Sequence, residues 1–196
     1  GLNKMLIDRA LDEGIDTIIT CDNGIAAADE IAYGKEHGLT VIVTDHHEVP
    51  YIEMAEEKEY ILPPADAVVD PHRPECAYPF KGLCGAAVAY KLIEALYNVM
   101  QRDPEDVDYL MENVAIATVG DVMDLTGENR IFVKQGLEML KCTRNPGLKA
   151  LIECTGINAD RLNAYHIGFV IGPCINASGR LDTARRALEL LNARTR

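Results

Sequence analysis

The chain has 196 residues, 48% of them hydrophobic, and a formal net charge of −12. That length suits one large domain or a domain and a half. It holds no apolar run near the roughly 20 residues of a membrane helix and no charged-apolar-small leader pattern. The acidic balance argues against a broad basic face that tracks nucleic acid, though not against a pocket whose carboxylates hold divalent metals. Cysteines at 21, 76, 84, 142, 154 and 174 form no C-x-x-C pair. They read as reduced, small core residues rather than a zinc site.

In chain order, Lys4 to Glu13 is amphipathic, with Leu6, Ile7, Ala10 and Leu11 on one face, and Gly14 ends it. Asp16 to Cys21 is a short β-branched run, expected as a buried strand. After the turn Asp22-Asn23-Gly24 a helix is expected over Ile25–His37, closed by Gly38. Thr40–Thr44 is a second strand. Strand, turn, helix, glycine, strand is a βαβ unit with a parallel sheet. Glu48 to Tyr60 is acidic and expected as a surface excursion, and Ala67–Val69 as a third strand broken by Asp70-Pro71. A helix is expected from Ala86 to about Met100, and another from Pro104, capped by Asp103, to Val119. The remainder is expected to be helical over Arg130–Lys141, Gly147–Cys154, Ala159–Ile171 and Leu181–Ala193. The fold class is therefore α/β, a parallel sheet with helices on both faces, followed by a helical part. The expected division is an α/β domain over 1–126 and a helical extension over 127–196.

Asp45-His46-His47 follows the second strand directly. Open α/β sheets bind ligands at the carboxyl ends of their strands, and imidazole with carboxylate suits a Mn- or Zn-type ion. Asp22 closes the first strand, on the same edge of a parallel sheet, so Asp22 and His46 can converge. Asp121 stands in an otherwise apolar stretch, Ala115 to Val122, where a carboxylate needs a partner. Read singly, Asp22 is equally a turn former and Asp121 a helix-end breaker. The set together favours a metal centre. His37 suits the negative end of a helix dipole, and His166 suits helix packing. Gly82–Gly85, opening a helix, resembles an anion-binding terminus but lacks a P-loop Lys-Ser/Thr.

Five runs carry a resemblance: Thr20-Cys21-Asp22-Asn23-Gly24-Ile25; Val43-Thr44-Asp45-His46-His47-Glu48; Pro79 to Ala89; Ala117-Thr118-Val119-Gly120-Asp121-Val122; and Gly172-Pro173-Cys174-Ile175-Asn176-Ala177-Ser178-Gly179-Arg180-Leu181. Together they resemble the DHH phosphoesterase superfamily, in its RecJ branch of single-strand-specific 5′→3′ exonucleases. The resemblance implies two Mn²⁺ or Mg²⁺ ions and two-metal phosphodiester hydrolysis. Asp22 matches the bridging carboxylate. His46 matches a ligand of one ion, whose shell Asp121 completes. His47 matches a catalytic pocket residue near the scissile phosphate, and Asp45 an acceptor that orients the imidazoles. Asn176, Gly179 and Arg180 match a phosphate-binding signature, with Arg180 able to fork onto a terminal phosphate. His72 matches a phosphate-facing position less firmly; a solvated loop is its plainer reading.

One departure matters. The family's first motif, a strand ending in Asp-x-Asp, has no match here, and neither have a second domain and a nucleic-acid-binding module. The chain therefore reads as part of a longer cytoplasmic enzyme of DNA repair or recombination. Single-stranded DNA is expected as partner of the whole protein, with weak nucleic-acid binding and little activity from this chain alone. The alternatives are a DHH phosphodiesterase of short oligonucleotides or cyclic dinucleotides, a pyrophosphatase, and a non-catalytic replication scaffold.

Overall fold

The computed structural model of the chain describes residues 1–54, 57–181 and 184–195, the side chains of 104 and 178–181 excepted. It forms two compact units, Gly1–Leu92 and Ile93–Arg196. The division falls upstream of the 126/127 boundary expected from sequence, because the helices on either side of that boundary pack on each other within one unit.

The first unit runs α1 (Lys4–Asp12), β1 (Thr17–Ile19), α2 (Ala28–Glu36), β2 (Thr40–Thr44), a hairpin of β3 (Tyr51–Glu53) and β4 (Lys58–Tyr60), β5 (Ala67–Val69) and the start of α3 (Gly85–Val99). The strands β1, β2 and β5 form a parallel sheet with β2 in the middle. Val41 and Val43 of β2 point into a core with Ile7 of α1, Ile31 of α2 and Leu39. Asn3 caps α1 through its side chain on Leu6 N at 3.0 Å. Lys35 of α2 meets Asp66 at 2.6 Å, and Asp66 in turn accepts from Val41 N, which ties helix, loop and strand together. Strands β2 and β5 have the bounds expected from sequence. The helix expected from Ile25 begins instead at Ala28, since Gly24 to Ala27 forms a turn closed by Ala27 N on Gly24 O. Within the acidic excursion, β3 and β4 pair antiparallel. Tyr51 pairs with Tyr60, and Lys58 Nζ lies 3.9 Å over the Tyr51 ring.

The second unit is helical, as expected. A 3₁₀ turn over Pro104–Leu110 leads into α4 (Met111–Gly120). Then come α5 (Gly127–Lys141), α6 (Pro146–Cys154), a short α7 (Ala164–His166), a π turn over Ile167–Ile171, α8 (Gly172–Leu181) and α9 (Arg185–Leu191). Leu140, Leu148, Ile152, Leu162, Ile167 and Ile171 form its buried core. Gly136 lets α5 approach α4 closely, since a Cβ there would collide with Ala115 and the Met111 carbonyl. Three sequence expectations change. The segment 104–119 is a 3₁₀ turn plus a helix. Ala159–Ile171 is broken at Leu162-Asn163. Residues 172–180, expected to separate two helices, are helical throughout. The helix runs on from the π turn without a break, and Pro173 is tolerated in it because the widened turn just before it relieves the clash its ring makes with a preceding carbonyl. All six cysteines are free, but only Cys84 is buried, and Cys21, Cys142, Cys154 and Cys174 are exposed. The reading of these residues as core packing therefore holds for Cys84 alone.

Candidate metal centre

The parallel ladder continues past the named strands and aligns their ends. Thr20 N donates to Ile42 O, Asp22 N to Thr44 O at 3.1 Å, and Asp45 N to Val69 O at 3.0 Å. Thr20 and Thr44 are both buried and lock to each other, Thr44 Oγ1 donating to Thr20 O at 2.7 Å. Asp22, Asp45 and Asp70 consequently follow three adjacent strands on one edge.

Asp22 takes a left-handed backbone, φ 62°, which Asp accepts better than most residues. Its carboxylate Oδ1 lies 2.9 Å from His46 Nε2. The start of α3 presses against it. A Cβ on Gly85 would sit 2.5 Å from Asp22 Cβ and 2.6 Å from Oδ1. The bare glycine thus lets the positive end of a long helix stand beside the carboxylate. The anion-binding role expected of the Gly82–Gly85 loop is, in this geometry, directed at a side chain of the protein itself.

Asp45 is 1% exposed and fully engaged. Its Oδ2 accepts from Ile25 N at 2.9 Å. Its Oδ1 accepts from His46 N at 2.8 Å and His47 Nδ1 at 2.7 Å, with a longer contact to His47 N. Burial pushes this carboxyl up, but the hydrogen bonds from Ile25, His47 and His46 outweigh it and hold it below the usual carboxylate range. Gly24, at φ 116°, turns the chain so that Ile25 N reaches Asp45, which explains why Asp22-Asn23-Gly24-Ile25 and Asp45-His46-His47 act as one unit. The Asp45 bond fixes His47 Nδ1, so Nε2 points away from the carboxylate.

Ligand atoms of Asp22, Asp45, His46 and His47 all lie within 4.8 Å of one another, the one such group among the described residues. The donor chemistry fits a divalent ion. With ligand bonds of about 2.1 Å, two ligands at right angles stand ~3 Å apart, as Asp22 Oδ1 and His46 Nε2 do. Asp45, with both oxygens committed to N–H donors, orients rather than ligates.

From sequence alone Asp70 reads as a strand breaker. Its side chain is wholly buried, Oδ1 accepting from His72 N at 2.7 Å and Oδ2 without a hydrogen-bond partner. Burial pushes this carboxyl up; the His72 N–H bond opposes it and the nearby Asp45 charge adds to it. A signal was available, since Asp70 ends its strand as Asp22 and Asp45 follow theirs. His72 is not in a solvated loop. It is three-quarters buried between Asp70 and Glu48, each 3.7 Å away. Asp121 lies in the second unit, exposed at the C-cap of α4, its N–H on Ala117 O. Val122 beside it has φ 58°, strained for a β-branched residue. Asn176 is on α8, while the side chains of Gly179 and Arg180 lie outside the described residues. His37 caps α2, Nδ1 2.8 Å from Tyr33 O, and His166 forms a capping box with Asn163.

A strand edge of carboxylate and imidazole at the carboxyl ends of a parallel sheet is where open α/β folds bind ligands, and its donors suit a divalent ion. Residues 2–119 match the model of the DHH family, N-terminal domain, and the chain belongs to the DHH family. It is 40% identical over 191 residues to the single-stranded-DNA-specific exonuclease RecJ of Bacillus subtilis, covering 97% of this chain and 22% of that protein. It is 36% identical over 202 residues to the RecJ of Haemophilus influenzae, covering 98% of this chain and 33% of that one. Among solved structures, RecJ of Thermus thermophilus in complex with Mn²⁺ superposes with a TM-score of 0.76 at 33% identity, over 96% of this chain and 27% of its own. Exonuclease RecJ bound to manganese gives 0.80 at 33% identity, over 97% and 45%. The chain thus spans about a fifth to a third of the length of these curated relatives.

Proposed function

We propose that the chain is the part of a RecJ-type single-strand-specific 5′→3′ exonuclease that holds one divalent cation and the scissile phosphate, working within a polypeptide of its relatives' length. The observation that carries the reading is the 2.9 Å approach of Asp22 Oδ1 to His46 Nε2 on a strand edge shared with Asp45 and His47. RecJ relatives with manganese in their structures support Mn²⁺ or Mg²⁺ as the ion.

Asp22 and His46 supply carboxylate and imidazole ligands, and Asp121 is the third. When bound, divalent ions activate water and offset charge on the phosphoryl oxygens. Asp45 keeps His46 and His47 in place through backbone and ring N–H groups and fixes the His47 proton on Nδ1. His47 Nε2 can then take or give a proton at a phosphate oxygen. Asn176, Gly179, Arg180 and His72 are proposed to contact phosphate, Arg180 by a bidentate fork. The other carboxylates of a two-ion site are proposed to come from the Asp-x-Asp segment, so this chain alone binds strands weakly and cleaves little. The setting is cytoplasmic DNA repair or recombination.

The test assays the longer protein with Mn²⁺ on a 5′-phosphorylated single strand, beside duplex, dinucleotide, cyclic dinucleotide and pyrophosphate. Stepwise loss from the 5′ end of the single strand, abolished by Asp22→Ala, is the expected result. Hydrolysis of dinucleotides or pyrophosphate alone would move the protein to another branch of the family. A folded, metal-loaded protein without hydrolysis would make it a scaffold.

A further inference from the structure

The second unit carries two aromatic rings that its own core leaves outside. Ile167 and Ile171 are fully buried and anchor the π turn and the start of α8. Residues two positions out of phase with them face outward, and Tyr165 and Phe169 are 64% and 70% exposed. The two rings are nevertheless ordered against each other, with centroids 4.8 Å apart and planes 29° from parallel, an offset stack. His166 meets Tyr165 edge-on, 6.0 Å away at 86°. The widened turn that accommodates Pro173 sets this register. Single exposed aromatics are ordinary, but a stacked pair holds two rings in one fixed orientation while most of the surface of each stays open to solvent.

The same segment packs on α4. Val119 Cγ1 lies 3.4 Å from where a Gly168 Cβ would be, and Asp121 caps that helix. The net charge of −12 leaves little general attraction for a phosphate backbone. A strand that binds this chain must gain affinity from something other than charge, and base stacking on aromatic rings is the sequence-tolerant alternative. Unpaired bases have open π faces; bases inside a duplex have theirs covered by neighbours.

We infer that Tyr165 and Phe169 form a stacking platform for unpaired nucleobases, a contact that favours single strand over duplex without reading sequence. The inference rests on the single-strand exonuclease reading and adds a binding surface distinct from the Asp22–His47 cluster.

The chain contains three phenylalanines, so 4-fluorophenylalanine labelling gives a ¹⁹F spectrum in which Phe169→Leu identifies one signal. A thymidine hexanucleotide is expected to shift the Phe169 signal and leave those of Phe80 and Phe132 in place. An abasic hexamer and a short blunt duplex are expected to leave all three unmoved. Tyr165→Ala should weaken the hexamer's apparent affinity about tenfold, while Tyr165→Phe, which keeps the π face, should retain it. A Phe169 signal that stays still while the His46 and His47 ring signals respond would overturn the platform and spare the exonuclease reading. An equal shift with the abasic strand, or full affinity in Tyr165→Ala, would also overturn it. Silence at Phe169 and at both histidines would overturn the platform, while the exonuclease reading, which assigns this chain only weak binding, is tested by the activity of the longer protein.

Discussion

The strand edge of the first unit and the helical second unit hold their candidate functional groups in opposite ways. At the strand edge each group is overdetermined. Asp45 is buried and takes main-chain and ring N–H donors, Asp22 is fixed by a ladder bond and by the close passage of Gly85, and the ligand atoms converge. In the second unit Asp121 is exposed at a helix end beside the strained Val122, and the aromatic pair stands in solvent. The first arrangement is preorganised for an ion, where small displacements cost function. The second suits contacts completed by whatever binds.

The contrast can be broken most forcefully at Asp45. Asp45→Ala strips acceptors from buried N–H groups of Ile25 and His46 and from the His47 ring. It should destabilise the fold by about 3 kcal/mol in urea melts, whereas Asp121→Ala should change stability by less than ~0.5 kcal/mol. Equal effects would erase the distinction. Gly85→Ala comes next, since its Cβ collides with Asp22. A loss of roughly 2 kcal/mol is expected, together with weaker Mn²⁺ binding. Gly136→Ala, which meets Ala115 and Met111 instead, should cost stability with no change in Mn²⁺ binding. Mn²⁺ affinity followed beside thermal melting separates the two.

Acid titration sharpens the comparison, because Asp45 of the first unit and Glu112 of the second respond with opposite sign. Asp45 is held below its ordinary value, so its contribution is present above the unfolded carboxylate range and is lost as pH falls through the folded value. Glu112 on α4 is buried, and burial pushes it up against the opposing bond from Thr143. Its proton is favoured in the fold, so stability falls as pH rises through the raised value. Glu112→Gln should therefore stabilise the second unit by about 1 kcal/mol at neutral pH, and the gain should vanish below the unfolded carboxylate value. A gain that persisted there would contradict the burial argument. The smallest effect is expected at Val122, where φ 58° strains a β-branched residue. Val122→Gly relieves that strain at some cost in chain entropy, for a net gain of about 0.5 kcal/mol in denaturant melts.

The same difference governs how much was legible from the chain. Strands β2 and β5 read correctly because continuous β-branched runs bounded by turn residues have one good solution. Asp22 beside His46 followed from parallel topology alone. Asp70 is obscured as a member of the edge because the following proline reads as a loop, although its place after the third strand matches that of Asp22 and Asp45, and the bond from Asp45 N to Val69 O fixes it there. The helical character of 172–180 was hidden by Gly172-Pro173, two breakers that the preceding π turn accommodates within one continuous helix. The Tyr165–Phe169 stack depends on a π turn, which no local periodicity announces. The hairpin over 51–60 was masked by its glutamates, although Tyr51, Ile52 and Tyr60 are good strand formers.

The most direct test of the metal centre is a Mn²⁺ titration of the chain followed by ¹H nuclear magnetic resonance, beside Asp22→Asn. Saturable Mn²⁺ binding that broadens the His46 and His47 ring signals and is lost in Asp22→Asn is the expected result. Binding of equal strength in Asp22→Asn, or none that reaches the two histidines, would contradict a cation site built on Asp22 and His46.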